Sequence, residues 1–169
     1  TTPTSIGQEF QSSGISFIKI ESLGEDGHII MEKIAFINTA TNNLLKRSQL
    51  KVNDLLISIA GALGRVAIVQ RDILPANTNQ ALAIARLKSE ATLELEYLFH
   101  FLKSNRIQKH IEAISVQGAQ ANLSLENIND LPIDTPLTKA EQTRIATILS
   151  DMDAEISALE TKLAKYKQI

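Results

Sequence analysis

The sequence predicts an α+β protein: a small mixed head with many short strands over residues 1–135, then a long C-terminal coiled-coil helix over residues 136–169. Three observations carry that reading. After Pro136 the apolar residues alternate at three and four positions, with Leu149, Ile156 and Leu163 on one heptad position and Ile145, Met152, Leu159 and Tyr166 on its companion. Before Pro136 the apolar runs are short and separated by Gly, Asn and Asp, as strands and turns require. One internal stretch, from Thr92 to about Ile114, instead shows helical spacing through Leu95, Leu98, Leu102 and Ile111. Strand-rich sequence with one internal helix reads as α+β rather than alternating βαβ.

Composition narrows the classes of function. The chain has 169 residues, 44% of them hydrophobic, which suits a packed globular head. It has no cysteine, so disulfides and thiolate metal sites are excluded. His28, His100 and His110 lie scattered without carboxylates at ligand spacing, so no metal site is expected. No apolar run is long enough to span a bilayer and no signal-peptide pattern is present, so a cytoplasmic location and no membrane contact are expected. A net charge of −2 argues against indiscriminate coating of nucleic acid but permits a local basic face.

In chain order, residues 1–14 read as an entry linker and Ile15 to Ile20 as a strand. A Gly24–Gly27 turn then leads to a returning strand at His28 to Met31. Ile34 to Ile37 is a further short apolar run. Asn38 to Asn43 is polar, and Leu44 to Leu50 suits a helical turn carrying Lys46 and Arg47. Leu55 to Ala60 reads as a buried strand, reversed at Gly61 to Arg65 into Val66 to Gln70. Pro75 to Gln80 reads as a polar loop and Ala81 to Leu87 as the next strand. Thr92 is the expected cap of the internal helix, 117–122 a polar loop, and Ser124 with Asn127 the start of a short helix. Thr138, with Glu141 three residues later, forms a capping box for the last helix, roughly 45 Å long at ~1.5 Å per residue. Along it Asp151, Asp153, Glu155 and Glu160 precede Lys162, Lys165 and Lys167, an order that suits an antiparallel partner of similar sequence.

No catalytic constellation emerges. Gly61-x-x-Gly64 lacks the Gly-Lys-Ser/Thr of a phosphate loop, no Gly-x-Ser-x-Gly is present, and no methyltransferase cofactor loop is visible. A nuclease-like pattern, Pro132 and Asp134 with Glu160-x-Lys162, is split between head and helix and is read as coincidence. Nucleic-acid contacts find more support. Lys103, Arg106 and His110 recur at helical spacing as a basic edge, with Lys109 adjacent, and Arg65 follows an expected hairpin tip. Asn77 to Gln80 (including Asn79) and Gln117 to Asn122 (including Gln120) are dense in carboxamides, which pair with adenine edges. Lys19, Lys46, Arg47 and Lys51 are further candidates for phosphate contact. The same residues also suit blander roles, as solvated helix faces and turn formers.

Several segments together resemble one half of a specificity (S) subunit of a type I restriction-modification system. They are Leu50 to Ser58 leading into Gly61 to Val69, Gln80 to Leu87 with Tyr97 and Leu98, Gln120 to Ser124, and Leu131 to Ile133. The most specific is Pro136 to Ile145, carrying Glu141 and Gln142 into the long helix. The resemblance implies a target-recognition domain that reads one half of a split double-stranded DNA site, plus a spacer helix that packs antiparallel on a second one. It also implies a non-catalytic chain that needs no cofactor of its own. Such a subunit docks methyltransferase (M) subunits, which use S-adenosylmethionine, and restriction (R) subunits, which use ATP with Mg. One domain and one helix, where a full S subunit has two of each, suggest a half-subunit or a fragment. An antiparallel homodimer through Leu149, Met152, Ile156, Leu159 and Leu163 would then restore the pair. Three alternatives stay open: the recognition domain of another restriction-modification enzyme type, a coiled-coil protein–protein adaptor that binds no DNA, and, weakest because nothing convergent supports it, an undetected catalytic domain.

Overall fold

A computed structural model describes residues 1–116 and 122–167. The fold is α+β, and the described residues form six short strands in two small sheets and a long C-terminal helix. The first sheet joins β1 (Ile15–Ile18), β2 (Ala35–Ile37) and β5 (Ala76–Thr78) in the order β2-β1-β5. Ile15 stands opposite Ile37 in the antiparallel pair, and Phe17 beside Asn77 in the parallel one. The second sheet is antiparallel, with β3 (Leu55–Ser58) between β4 (Val66–Ile68) and β6 (Leu82–Ala85).

β3 is buried at all four residues because both of its faces are covered. Leu56 faces Ile18, Leu23, Ala67, Val69 and Leu82 in the cluster between the sheets. Leu55 and Ile57 face the helices α2 (Leu95–Lys103) and α3 (Asn105–Val116) through Leu98, Leu102, Ile107 and Ile111. A third, smaller cluster of Phe17, Ile37 and Leu45 seats α1 (Thr39–Leu44) on the first sheet.

An ion pair pins the start of β3 to the end of β6. Buried Asp54 accepts from Arg86 Nε at 2.6 Å and from its terminal nitrogen at 2.7 Å, and also from the Lys51 amide at 2.7 Å. At the other end, buried Ser58 shapes the β3–β4 turn. Its hydroxyl donates to the Ala62 carbonyl at 2.5 Å and accepts from the Arg65 amide at 2.8 Å.

Four sequence expectations need correction. Asn38 to Asn43 is not merely polar coil: α1 forms because the Asn38 side chain caps the Thr41 amide at 2.8 Å. Pro75 to Gln80 is not wholly a loop. β5 lies in the sheet because its polar side chains find partners inside, with Thr78 Oγ1 donating to the Ile18 carbonyl at 2.8 Å. The helix expected from Thr92 to Ile114 starts at Leu95, capped by Glu94, and breaks at Ser104. Ser104 is extended, and Gln108 Nε2 donates to the Leu102 carbonyl at 2.8 Å, replacing a helical bond lost at the break. His28 to Met31 makes no strand. Leu23 and Ile29 form a single bridge, and a 3₁₀ turn, Met31–Lys33, follows. Gly27 has a φ of 92° there, and a Cβ at that position would collide with the Phe99 ring.

The short helix α4 (Leu125–Asn129) starts at the expected capping box of Ser124 and Asn127. α5 (Lys139–Tyr166) is 28 residues long, about 42 Å, and Thr138 caps the Glu141 amide at 3.2 Å. It runs alongside α2 in the same direction, since Gln142 meets Glu94, Ser150 meets His100, and Asp153 meets Lys103. α2 ends at Lys103, and α5 continues beyond it with every described residue from Ala154 onward exposed.

Candidate nucleic-acid interface

Two surface features rise from this frame. The first sits where α1 meets β5. Buried Asn77 donates from Nδ2 to Asn42 Oδ1 at 2.9 Å and to the Leu45 carbonyl at 3.1 Å, while its own oxygen accepts the Thr78 amide at 2.8 Å. This bond set ties the end of α1 and the following 3₁₀ turn, Lys46–Ser48, to the strand that leads into the Asn79–Gln80 turn. The result is a shallow concavity of about 560 Å³ lined by Lys46, Arg47, Ser48, Asn79, Gln80 and Leu125, among others. Lys46, Arg47 and Gln80 are exposed, and Asn79 is half-buried with its oxygen accepting the Ala81 amide at 3.0 Å.

Exposed Asn122 belongs to the same end of the molecule. The Ile59 amide donates to the Ala81 carbonyl at 2.9 Å, and the Leu123 amide donates to the Ile59 carbonyl at 2.8 Å. The Asn79–Ala81 turn and the entry to α4 therefore converge on the residue after β3. Gln117 and Gln120 lie outside the described residues.

The other sequence candidates are not brought to this surface. Asn77 is a correction in the strict sense: it is wholly buried and both ends of its carboxamide are engaged, so it has no face for a ligand. The basic edge expected from Lys103, Arg106 and His110 is divided by the break at Ser104, with Lys103 on α2 and the other two on α3, and Lys103 and Arg106 each lie beside an acid of the same chain. Lys103 Nζ lies 3.3 Å from Asp153, donates to the Asp26 carbonyl at 2.6 Å and stacks over Phe99. Arg106 pairs with Asp134, the residue of the nuclease-like pattern, while Glu160 lies on the exposed stretch of α5 beyond α2. Arg65 turns inward, donating to the Leu23 carbonyl at 3.0 Å and to Glu25 at 3.2 Å. Lys19 sits 2.5 Å from Glu21, a contact that lowers the Glu21 carboxyl from its ordinary range, and also lies over Phe10. Among the described residues, Lys46 and Arg47 form no ion pair and no group of three His, Asp or Glu could hold a metal.

The second feature is the divided surface of α5. Gln142 and Ala146 are buried against the head, and Ser150 and Asp153 continue that stripe onto α2. At about 100° per residue, the seam of Ile145, Leu149, Met152, Ile156, Leu159, Leu163 and Tyr166 lies roughly a quarter-turn around the helix from that stripe. Ile145 is half-buried, and every other seam residue is exposed.

A family model for the type I restriction modification DNA specificity domain matches residues 2–168. The chain belongs to that family. This specificity domain is 28% identical over 151 residues to the type I restriction enzyme EcoBI specificity subunit of Escherichia coli, a match covering 89% of the chain and 31% of that protein. Its fold is similar to that of the HsdS subunit from Thermoanaerobacter tengcongensis, with a TM-score of 0.72 at 16% identity over 99% of this chain and 42% of that one. A chain from a structure of complex assembly and conformational transition in the type I R-M system gives a TM-score of 0.65 at 19% identity, over 94% and 35%. The specificity domain thus spans about a third of the curated relative. At these identities the two solved structures speak for the fold.

Proposed function

We propose that the head reads one half of a bipartite double-stranded DNA site, while α5 holds a second head at a set distance. The observation that carries this reading is the division of α5. One stripe anchors the helix to its own head, and a separate apolar seam stays open to a partner helix. Family membership supports the DNA-reading part. In this reading Lys46 and Arg47 set register on phosphates, and Asn79, Gln80 and Asn122 address base edges. The rod, 136–169, is the spacer; the head, 1–135, is the reader. The chain carries no catalysis and uses no cofactor. S-adenosylmethionine and ATP with Mg serve the M and R subunits that dock on the assembled pair, in the cytoplasm.

One head offers few base contacts, so a single half-site binds weakly and with strong salt dependence. Two heads joined by an antiparallel helix pair gain effective concentration, but only on DNA whose half-site spacing matches. The test is selection from a random duplex pool at low salt, followed by sequencing. A short motif, recurring in inverted copies at one spacing, is expected. Recovery with no sequence bias would overturn the reading and favour an adaptor that works through its helix alone.

A further inference from the structure

We infer that Gln142 is the positioning residue of the head–rod joint: its buried carboxamide fixes the angle at which α5 leaves the head, and that angle sets the half-site spacing. The second clause rests on the DNA-reading proposal, and the first stands on geometry alone.

Gln142 is 2% exposed, and its side chain reaches three backbone groups from two separate connections. Its oxygen accepts the Glu94 amide at 2.8 Å. Its nitrogen donates to the Thr92 carbonyl at 3.2 Å and to the Pro136 carbonyl at 3.2 Å. One side chain therefore ties α5 both to the approach to α2 and to the segment leading into α5 itself. Nearby, the Tyr97 hydroxyl donates to the Asp134 carbonyl at 2.6 Å, holding the same segment from the other side. A buried polar group with all its partners met resists displacement, because moving it strands several backbone groups away from water.

The remaining ties along the joint are weaker. Ala146 contributes only a methyl contact. The Lys103–Asp153 pair lies at the surface, where such pairs hold loosely. His100 and Ser150 share one hydrogen bond of 2.9 Å.

Small angular freedom at this point has large effects at the far end. From Gln142 to Leu163 the helix extends ~31 Å, so a swing of ~10° moves the tip by ~5 Å, more than the ~3.4 Å rise of one base pair. A spacer that discriminates single base pairs thus requires a joint stiffer than this.

The experiment uses the whole chain, which has no cysteine of its own, labelled at Asn43→Cys in α1 and Lys162→Cys in α5. Spin-label distance distributions are recorded with labelled chain diluted into unlabelled chain. Gln142→Met keeps the volume and removes all three bonds, whereas Gln142→Glu keeps the acceptor for Glu94 and loses both donors. Amide exchange in β3 and β6 reports whether the head stays folded. The expected result is one narrow distance in the native chain, a distribution about twofold broader in Gln142→Met, and an intermediate width in Gln142→Glu. An unchanged width in Gln142→Met with an intact head overturns the inference.

In the DNA arm, the selected half-site is paired with its inverted copy at spacings stepped by one base pair. The native chain should favour one spacing, and Gln142→Met should bind neighbouring spacings equally while keeping its affinity for a single half-site. A broadened joint with unchanged spacing preference overturns the link to spacing. If the native chain binds no duplex at all, the DNA-reading proposal fails, and the distance measurement still decides the joint.

Discussion

Ile156→Lys is the substitution that most directly tests the open seam. Leu149, Met152, Ile156, Leu159 and Leu163 are between 37% and 55% exposed, so each has about half of its side chain left to bury. Full burial of such a side chain is worth about 1.5–3 kcal/mol, so the remaining half gives about 1 kcal/mol each, or about 10 kcal/mol for two chains. Association costs an estimated 4–15 kcal/mol in lost freedom. The native pair is therefore expected to be weak and strongly concentration-dependent. Lys at this position is a good helix former and stands four residues before Glu160, so the isolated helix is preserved. In the pair it removes about 2 kcal/mol of burial and places two ammonium groups in a dry seam, at least another ~2 kcal/mol. The total, about 4 kcal/mol, weakens association about a thousandfold. Sedimentation equilibrium across a concentration series reads this directly. Thr161→Lys, on the far side of the helix, should leave it unaltered. Equal dissociation constants for the native chain and Ile156→Lys would refute the assignment of the seam.

Other perturbations follow from single contacts. Arg86→Ala leaves the buried Asp54 carboxylate with only the Lys51 amide; because Arg86 is half exposed, a loss of about 2–3 kcal/mol is expected in urea unfolding, below the full value for a buried pair. A loss under about 1 kcal/mol would show that water replaces the guanidinium. Burial lowers the pKa of His100 against the smaller opposing pull of Asp153, so the unfolded chain binds its proton more readily than the folded one. Stability is therefore full above the ordinary histidine range and falls as pH drops through about 6.5, and His100→Gln should flatten that part of a melting-temperature profile. Lys46→Ala and Arg47→Ala should each reduce the salt slope of DNA binding by about 1 without shifting the melting temperature. Arg65→Ala should instead lower stability by about 1–2 kcal/mol through the lost bonds to Leu23 and Glu25. Its DNA preference should not change.

The rod was legible because its signal is redundant. Seven apolar positions repeat the same spacing, and Thr138 marks the start. β3, β4 and β6 were legible as apolar runs around the Gly61–Gly64 turn. β5 was not, since Asn77 and Thr78 look like loop residues until their buried partners, Asn42, Leu45 and Ile18, are known. Those partners lie 32 to 60 residues away, where no local pattern reaches. α1 did carry a local signal, the Asn38 cap, which the polar composition of Thr39–Leu44 obscured. The break at Ser104 has no Gly or Pro to announce it. Among candidate contacts, charge alone does not reveal the intramolecular partners. Lys19, Arg65, Lys103 and Arg106 have acids of this chain beside them, and only the fold shows it. The sequence shows Gln142 only as part of a motif, because its role at the joint depends on backbone groups that converge only after folding.

Asn77 and Asn79 are chemically identical, two residues apart, and live under opposite rules. The first is locked inside a lattice of bonds to other elements, so almost any replacement unsettles the head. The second stands with Gln80 on the rim, and its side chain holds only its own turn, through the Ala81 amide. Change can therefore accumulate on the rim as cheaply as paint is changed on a wall. Under the proposed DNA-reading role, a few outward substitutions there would redirect the head to a new target and leave the bonds that hold its frame untouched.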